Sequence, residues 1–185
     1  KNRSIEALAQ MQSGRITPSE MHVHRYKLGL ADIGISISAE EALRFSALYS
    51  REQEELKLTD TMRSILECCK NRFEKTGIIT NGSARHQRGK IAGLGLEKWI
   101  SPELIIISGE HDVLKPSPQI FALAGLAAGT TPEKMIMVGD SYEVDVCGAA
   151  GFGMKTVWMN RNEEKDIPGA IIPDHVVHGE EELLE

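Results

Sequence analysis

The sequence predicts an α/β protein: a parallel sheet clothed by helices, preceded by a purely helical segment. Three observations predict it. From residue 77 onward, short apolar runs of strand length alternate with helical patterns, the order that gives parallel strands with helices on both faces. The first fifty residues carry helical patterns only. One stretch, Met135 to Ala149, runs from an apolar strand through Gly139-Asp140 into a helix, which sets carboxylates at the lip where such sheets bind ligands.

Taken in order, residues 4–12 read as a helix, with Ile5, Leu8 and Met11 near helical spacing and Gly14 ending it. Thr17-Pro18-Ser19-Glu20 is a helix start: Thr17 is the N-cap, Pro18 occupies the first turn and Glu20 closes a capping box. That helix runs to about Ala31. Ser38-Ala39-Glu40-Glu41 repeats the device and opens a third helix to about Arg51. Residues 1–55 are therefore expected to form a separate helical domain, and residues 56–185 the α/β core. His22 and His24 make an H-x-H pair, but on a helix they point to different faces, so surface positions are expected rather than a metal site.

Arg51 to Lys57 is charged and suits a hinge. Thr59-Asp60 caps a helix to about Lys70. Gly77 to Thr80 is a short strand ending in Asn81-Gly82-Ser83, and residues 84–94 return to helix. Leu104 to Ile107 reads as a buried strand. Ser117 caps a helix to Leu126 that Pro118 helps to start, and Thr131-Pro132-Glu133 caps a short turn. Met135 to Val138 has the length of a buried strand, after which Gly139 lets the backbone turn. Lys155 to Trp158 and His175 to His178 are the remaining strands, followed by an acidic helical tail.

The totals narrow the function. At 185 residues the chain fits one domain, or one with a small addition, and is long enough to bury a core. A formal charge of −6 argues against a nucleic-acid binder, which would show a basic face. No apolar run approaches the roughly 18 residues of a membrane span. Lys1-Asn-Arg-Ser-Ile-Glu is not a signal peptide, and three cysteines, two of them adjacent, make no disulfide framework. A cytoplasmic location is the default expectation.

Three strand ends carry chemistry. Thr80-Asn81-Gly82 offers a hydroxyl, an amide and backbone N–H groups at a helix start, a phosphate cradle or a plain strand-to-helix turn. Lys115, its backbone fixed by Pro116, would hold an ammonium at the sheet edge, where it can neutralise phosphoryl oxygens; alone, such a lysine is usually a surface residue. Asp140 and Asp145 can hold a hard cation such as Mg²⁺ through oxygen, or be a turn residue and a helix-capping residue. Other signals fail. Gly82 to Lys90 has the wrong spacing for a Walker loop, and Gly151-Phe152-Gly153 lacks the third glycine of a dinucleotide site. Cys147 has no evident histidine partner and reads as packing.

Taken together and in order, Thr80-Asn81-Gly82, Lys115-Pro-Ser-Pro-Gln-Ile-Phe121 and Gly139-Asp140-Ser-Tyr-Glu-Val-Asp145 resemble the second, third and fourth motifs of the haloacid dehalogenase (HAD) superfamily of hydrolases. The likeness runs from about residue 57 to the end, and the helical first part resembles that family's C1-type cap. The resemblance implies a Rossmann-like core with a mobile cap that closes on substrate. It implies hydrolysis of phosphate monoesters, small phosphorylated metabolites by family expectation, through an aspartyl-phosphate with Mg²⁺. In that scheme Asp140 binds Mg²⁺, and Asp145 binds it directly or through water, or orients Lys115. Thr80 and Asn81 hold the transferring phosphoryl group, and Lys115 offsets charge. Two carboxylates in the fourth motif favour the Mg²⁺-dependent phosphatases over the metal-independent dehalogenases.

One motif departs. The family's first motif is Asp-x-Asp, and no Asp-x-Asp occurs in this chain. Its strand would be the central one, between those ending at Thr80 and Val138. Without it, buried N–H and C=O groups would go unpaired, at on the order of 1–3 kcal/mol each. The natural polypeptide is therefore expected to extend roughly 15–25 residues further at its N-terminus and to carry the nucleophile there. Three rival readings remain: a haloacid dehalogenase, a non-catalytic HAD-like protein that binds phosphate or a partner, and a response-regulator receiver domain. In the last of these Lys-Pro comes last in the chain, whereas here it precedes Gly139-Asp140.

Overall fold

Local chemistry starts the helices where the sequence places them. In the computed structural model, Thr17 and Ser38 each take part in a complete capping box, so orphan N–H groups at both helix starts find side-chain acceptors. The structure describes residues 7, 10, 11, 13–162 and 171–184. The helix expected over residues 4–12 therefore lies largely outside the described residues, and so does the side chain of His22.

The chain divides into two compact units, Lys1–Leu56 and Lys57–Glu185. In the first, α1 (Pro18–Ala31) and α2 (Ala39–Glu54) pack together, with Met21, Ala42 and Ser46 buried. Tyr26 stacks on Phe45 with ring centroids 6.4 Å apart, and the Arg25 guanidinium lies 5.0 Å from the Tyr26 ring.

The second unit opens with α3 (Asp60–Arg72), whose first turn is capped by the Thr59 hydroxyl accepting from the Met62 N–H. Then come β1 (Ile78–Thr80), α4 (Ala84–Gly93), β2 (Ile105–Ile107), the single turn α5 (Ser108–His111) and α6 (Pro118–Ala128). The chain continues through β3 (Ile136–Gly139), a wide turn over Tyr142–Val146, α7 (Cys147–Phe152), β4 (Lys155–Met159), β5 (His175–Val177) and α8 (Glu180–Leu184). Among the described residues, no helix is long and apolar enough to cross a membrane.

Every strand pair is parallel, as the alternating pattern predicts. The strands fall into two sheets, β1-β2 and β3-β4-β5, and among the described residues β1 does not pair with β3. One core serves both sheets. Ile106 of β2, Ile120 and Phe121 of α6, Ala149 of α7 and Met154 are buried together, and Ile79 of β1 and Met135 and Met137 pack against them. On the far side of the first sheet, Ile91, Ile100, Ile105 and Ile107 form a second cluster.

Three local expectations need correction. The strand at 135–138 reads as buried from its apolar run, but Ile136 and Val138 are 47% and 43% exposed, while Met137 packs inward. An apolar run cannot say whether both faces are covered; among the described residues, one face of β3 is largely bare. Ser117 stands at the start of α6 but does not cap it, because its hydroxyl bonds the Gln119 side chain. Thr131 likewise makes no capping bond to its short turn.

Candidate active site

The ends of β1 and β3 and the loop before α6 converge on Lys115. This residue is 8% exposed although it carries a charge, so its burial needs compensation. Its ammonium donates to Asp145 Oδ1 at 2.7 Å and to the Ile79 carbonyl at 2.8 Å. Asp145 is buried as well, and its Oδ2 accepts from the Ser141 N–H at 3.0 Å. The wide turn after β3 creates this arrangement: both Asp145 and Val146 N–H groups reach back to the Ser141 carbonyl, which tips the Asp145 side chain under the end of β3.

Gly139 is required here for a reason other than the turn expected of it. It is the last residue of β3 and has no left-handed backbone. A Cβ built on it would collide with the Cβ of Asp145 and lie 2.6 Å from both Cγ and Oδ2. Glycine therefore admits the Asp145 carboxylate against the strand.

The β1 end is held as tightly. Asn81 Nδ2 donates to the Lys115 carbonyl at 2.9 Å, and Asn81 Oδ1 accepts from the Lys115 N–H at 2.8 Å. The carboxamide thus engages the Lys115 backbone. The Gly82 N–H, expected to be open to a phosphate, donates to Ser108 Oγ at 2.9 Å, and the Gly82 carbonyl accepts from the Gly109 N–H at 3.0 Å. Of the first cluster, only the Thr80 hydroxyl makes no side-chain hydrogen bond among the described residues, and it is half-buried. Asp140 lies exposed just past β3, and its carbonyl accepts from Trp158 Nε1 at 3.3 Å.

Ser108 is the residue that sequence reasoning passed over. It is fully buried at the end of β2 and fixes the turn that follows Thr80. A hydroxyl directly after Ile105-Ile-Ile107, at a strand end like Thr80, was the available signal. Nearby, Arg88 of α4 and Glu110 of α5 form a two-bond ion pair at 2.8 Å each, and these bonds hold the Glu110 carboxyl below its ordinary range.

As a donor set for a cation, the site offers carboxylate oxygens at Asp140 and Asp145, and among the described residues no cluster of three or more metal-binding side chains. Mg²⁺ accepts such a set, since it commonly keeps several waters and binds through one or two carboxylates plus substrate phosphate. Asp140 is exposed, and the Asp145 carboxylate bonds the Lys115 ammonium and the Ser141 N–H.

Comparison with known proteins decides the family. The model of the haloacid dehalogenase-like hydrolases matches residues 7–153. This chain belongs to that family. A phosphoserine phosphatase from Thermus thermophilus is 34% identical over 131 residues, covering 71% of this chain and 52% of that protein. A glyceraldehyde 3-phosphate phosphatase from Pyrococcus furiosus is 40% identical over 112 residues, covering 60% and 46%. An (S)-2-haloacid dehalogenase from a Pseudomonas species is also similar, at 32% over 122 residues, covering 66% and 52%. The chain spans about half the length of the curated relatives it matches. In fold it resembles the HAD-hydrolase YfnB of Bacillus subtilis, with a TM-score of 0.73 at 23% identity, covering 98% of this chain and 78% of that one. The family's α/β fold is therefore the fold of this chain.

Proposed function

We propose that the protein carrying this chain is a Mg²⁺-dependent phosphatase of small phosphate monoesters. The observation that carries the reading is the buried Lys115 ammonium, fixed between Asp145 and the carbonyl of Ile79, the residue before Thr80 at the end of β1, with Asp140 just past β3. Phosphoryl transfer needs a group held in line and its oxygens neutralised, and these residues supply both. Phosphatases among the relatives support the same reading.

In this reading Thr80 donates its hydroxyl to a phosphoryl oxygen, and the Lys115 ammonium offsets the charge that builds there. Asp145 keeps that ammonium aimed. Asp140 would hold Mg²⁺, which when bound neutralises phosphoryl oxygens. The nucleophile is an aspartate on a strand between β1 and β3, which do not pair with each other among the described residues. Its oxygen attacks phosphorus, the ester oxygen leaves and takes a proton, and water then cleaves the acyl phosphate to inorganic phosphate. The helices of the first unit take the part of the family's cap domain.

The test is phosphate release from an aryl phosphate by the full-length polypeptide, with EDTA and an Asp140→Asn variant alongside. Activity that both treatments abolish is expected. Halide release from a 2-haloacid without metal would instead establish the dehalogenase reading. Release of neither product would leave a non-catalytic relative that binds phosphate or a partner.

A further inference from the structure

We infer that Asn81 is the positioning residue of the Lys115 ammonium, rather than a ligand of the phosphoryl group. The inference rests on the phosphatase reading for what Lys115 does, and on geometry for how it is held. Asn81 and Lys115 exchange two hydrogen bonds, 2.9 and 2.8 Å, as paired strand residues do, although Lys115 lies in a loop and 34 residues away. The carboxamide therefore extends β1 by one pairing step. The Lys115 side chain then returns to the same strand, its ammonium donating to the Ile79 carbonyl at 2.8 Å. Lys115 is fastened to β1 on both sides of Thr80, through the residue before it and the residue after it.

That double attachment answers a physical need. A lysine side chain carries about 2 kcal/mol of rotamer entropy, so an ammonium that must sit at one point requires its backbone fixed as well as its tip. The Ser117 N–H closes a turn onto the Leu114 carbonyl around Lys115-Pro116, and the Asn81 bonds tie that turn to the end of β1. The anchor is itself bonded: the Asn81 carbonyl accepts from Gln87 Nε2 at 3.2 Å, and the Gly82 N–H donates to Ser108 Oγ at 2.9 Å. Any shift of β1 relative to the rest of the core would thus carry Thr80 and Lys115 together and keep their spacing.

The experiment uses the full-length polypeptide with Asn81→Ala, Asn81→Asp and Lys115→Met. The ¹H–¹⁵N resonance of the Lys115 ammonium, identified by its absence in Lys115→Met, is recorded without phosphate, and kcat and KM are measured on an aryl phosphate. A positioning role predicts that the resonance shifts or broadens in Asn81→Ala before any ligand is present, and that kcat falls about tenfold or more while KM stays nearly constant. Asn81→Asp has the native size and keeps one of the two bonds; it should show the same change, and it carries the test where Asn81→Ala does not fold. An unchanged ammonium resonance in both variants, or a rise confined to KM, overturns the inference. Undiminished phosphate release by Lys115→Met would sink the phosphatase role of Lys115 instead, and the resonance would still decide the Asn81 contact.

Discussion

The Lys115 ammonium and the Asp145 carboxylate meet at 2.7 Å with side chains only 10% and 7% exposed, so each charge depends on the other to stay buried. Removing one partner leaves an uncompensated charge inside the protein, a loss of about 3–5 kcal/mol. Asp145→Ala should therefore lower the urea midpoint sharply. The double variant Lys115→Met/Asp145→Leu should recover much of that loss, because no charge is then stranded. A recovery near zero in this double-variant cycle would show that the ammonium has other compensation.

Gly139 tests how close the strand end must come to that carboxylate. In Gly139→Ala the new methyl group enters space held by Asp145, whose Cγ would lie 2.6 Å away. Asp145 must move, and the ammonium with it. Overpacking of this kind costs about 1–3 kcal/mol. Phosphate release should fall with it, and a Gly139→Ala protein of native stability and native activity would refute the close contact.

How much of this was legible follows from what each feature leaves in sequence. The caps at Thr17, Ser38 and Thr59 are local, three residues from cap to partner, and all three form. The parallel order follows from alternation of short apolar runs with helical patterns. Lys115, Asp140 and Asp145 are legible as strand-end candidates, although the structure puts Lys115 in the loop before α6 and Asp145 in the wide turn after β3. The Asn81–Lys115 pairing and the Ser108 latch join residues 34 and 26 positions apart, and no periodicity records such a contact. The need for Gly139 was visible, but its reason was not: a glycine beside an aspartate reads as a turn until the wide turn over Tyr142–Val146 brings Asp145 back against it.

Ser108 is fully buried, and its hydroxyl accepts the Gly82 N–H. In Ser108→Ala that donor loses its partner, at a cost of about 1–3 kcal/mol. The loss should concentrate at the turn after Thr80, so hydrogen exchange at the Gly82 amide should speed up more than exchange in β4. Equal acceleration at both places would argue that Ser108 serves general packing alone.

Asp174 supplies the pH dependence. Its carboxylate accepts from the Thr156 N–H at 2.8 Å and from the Thr156 hydroxyl at 3.2 Å, just ahead of β5, and so pins that strand's entry to β4. The Thr156 backbone bond holds the Asp174 carboxyl below its ordinary value of 3.8. A carboxyl whose pKa is lower folded than unfolded binds more protons in the unfolded chain, so it favours the folded state where it is ionised. Its contribution is complete above the ordinary value and disappears as the pH falls through the lowered folded value. Asp174→Asn should therefore be less stable than the native protein at pH 7, and the gap between their unfolding midpoints should close as the pH is taken below about 4. A gap that stays constant to pH 2 would assign the loss to geometry at Thr156 rather than to the ionised carboxylate.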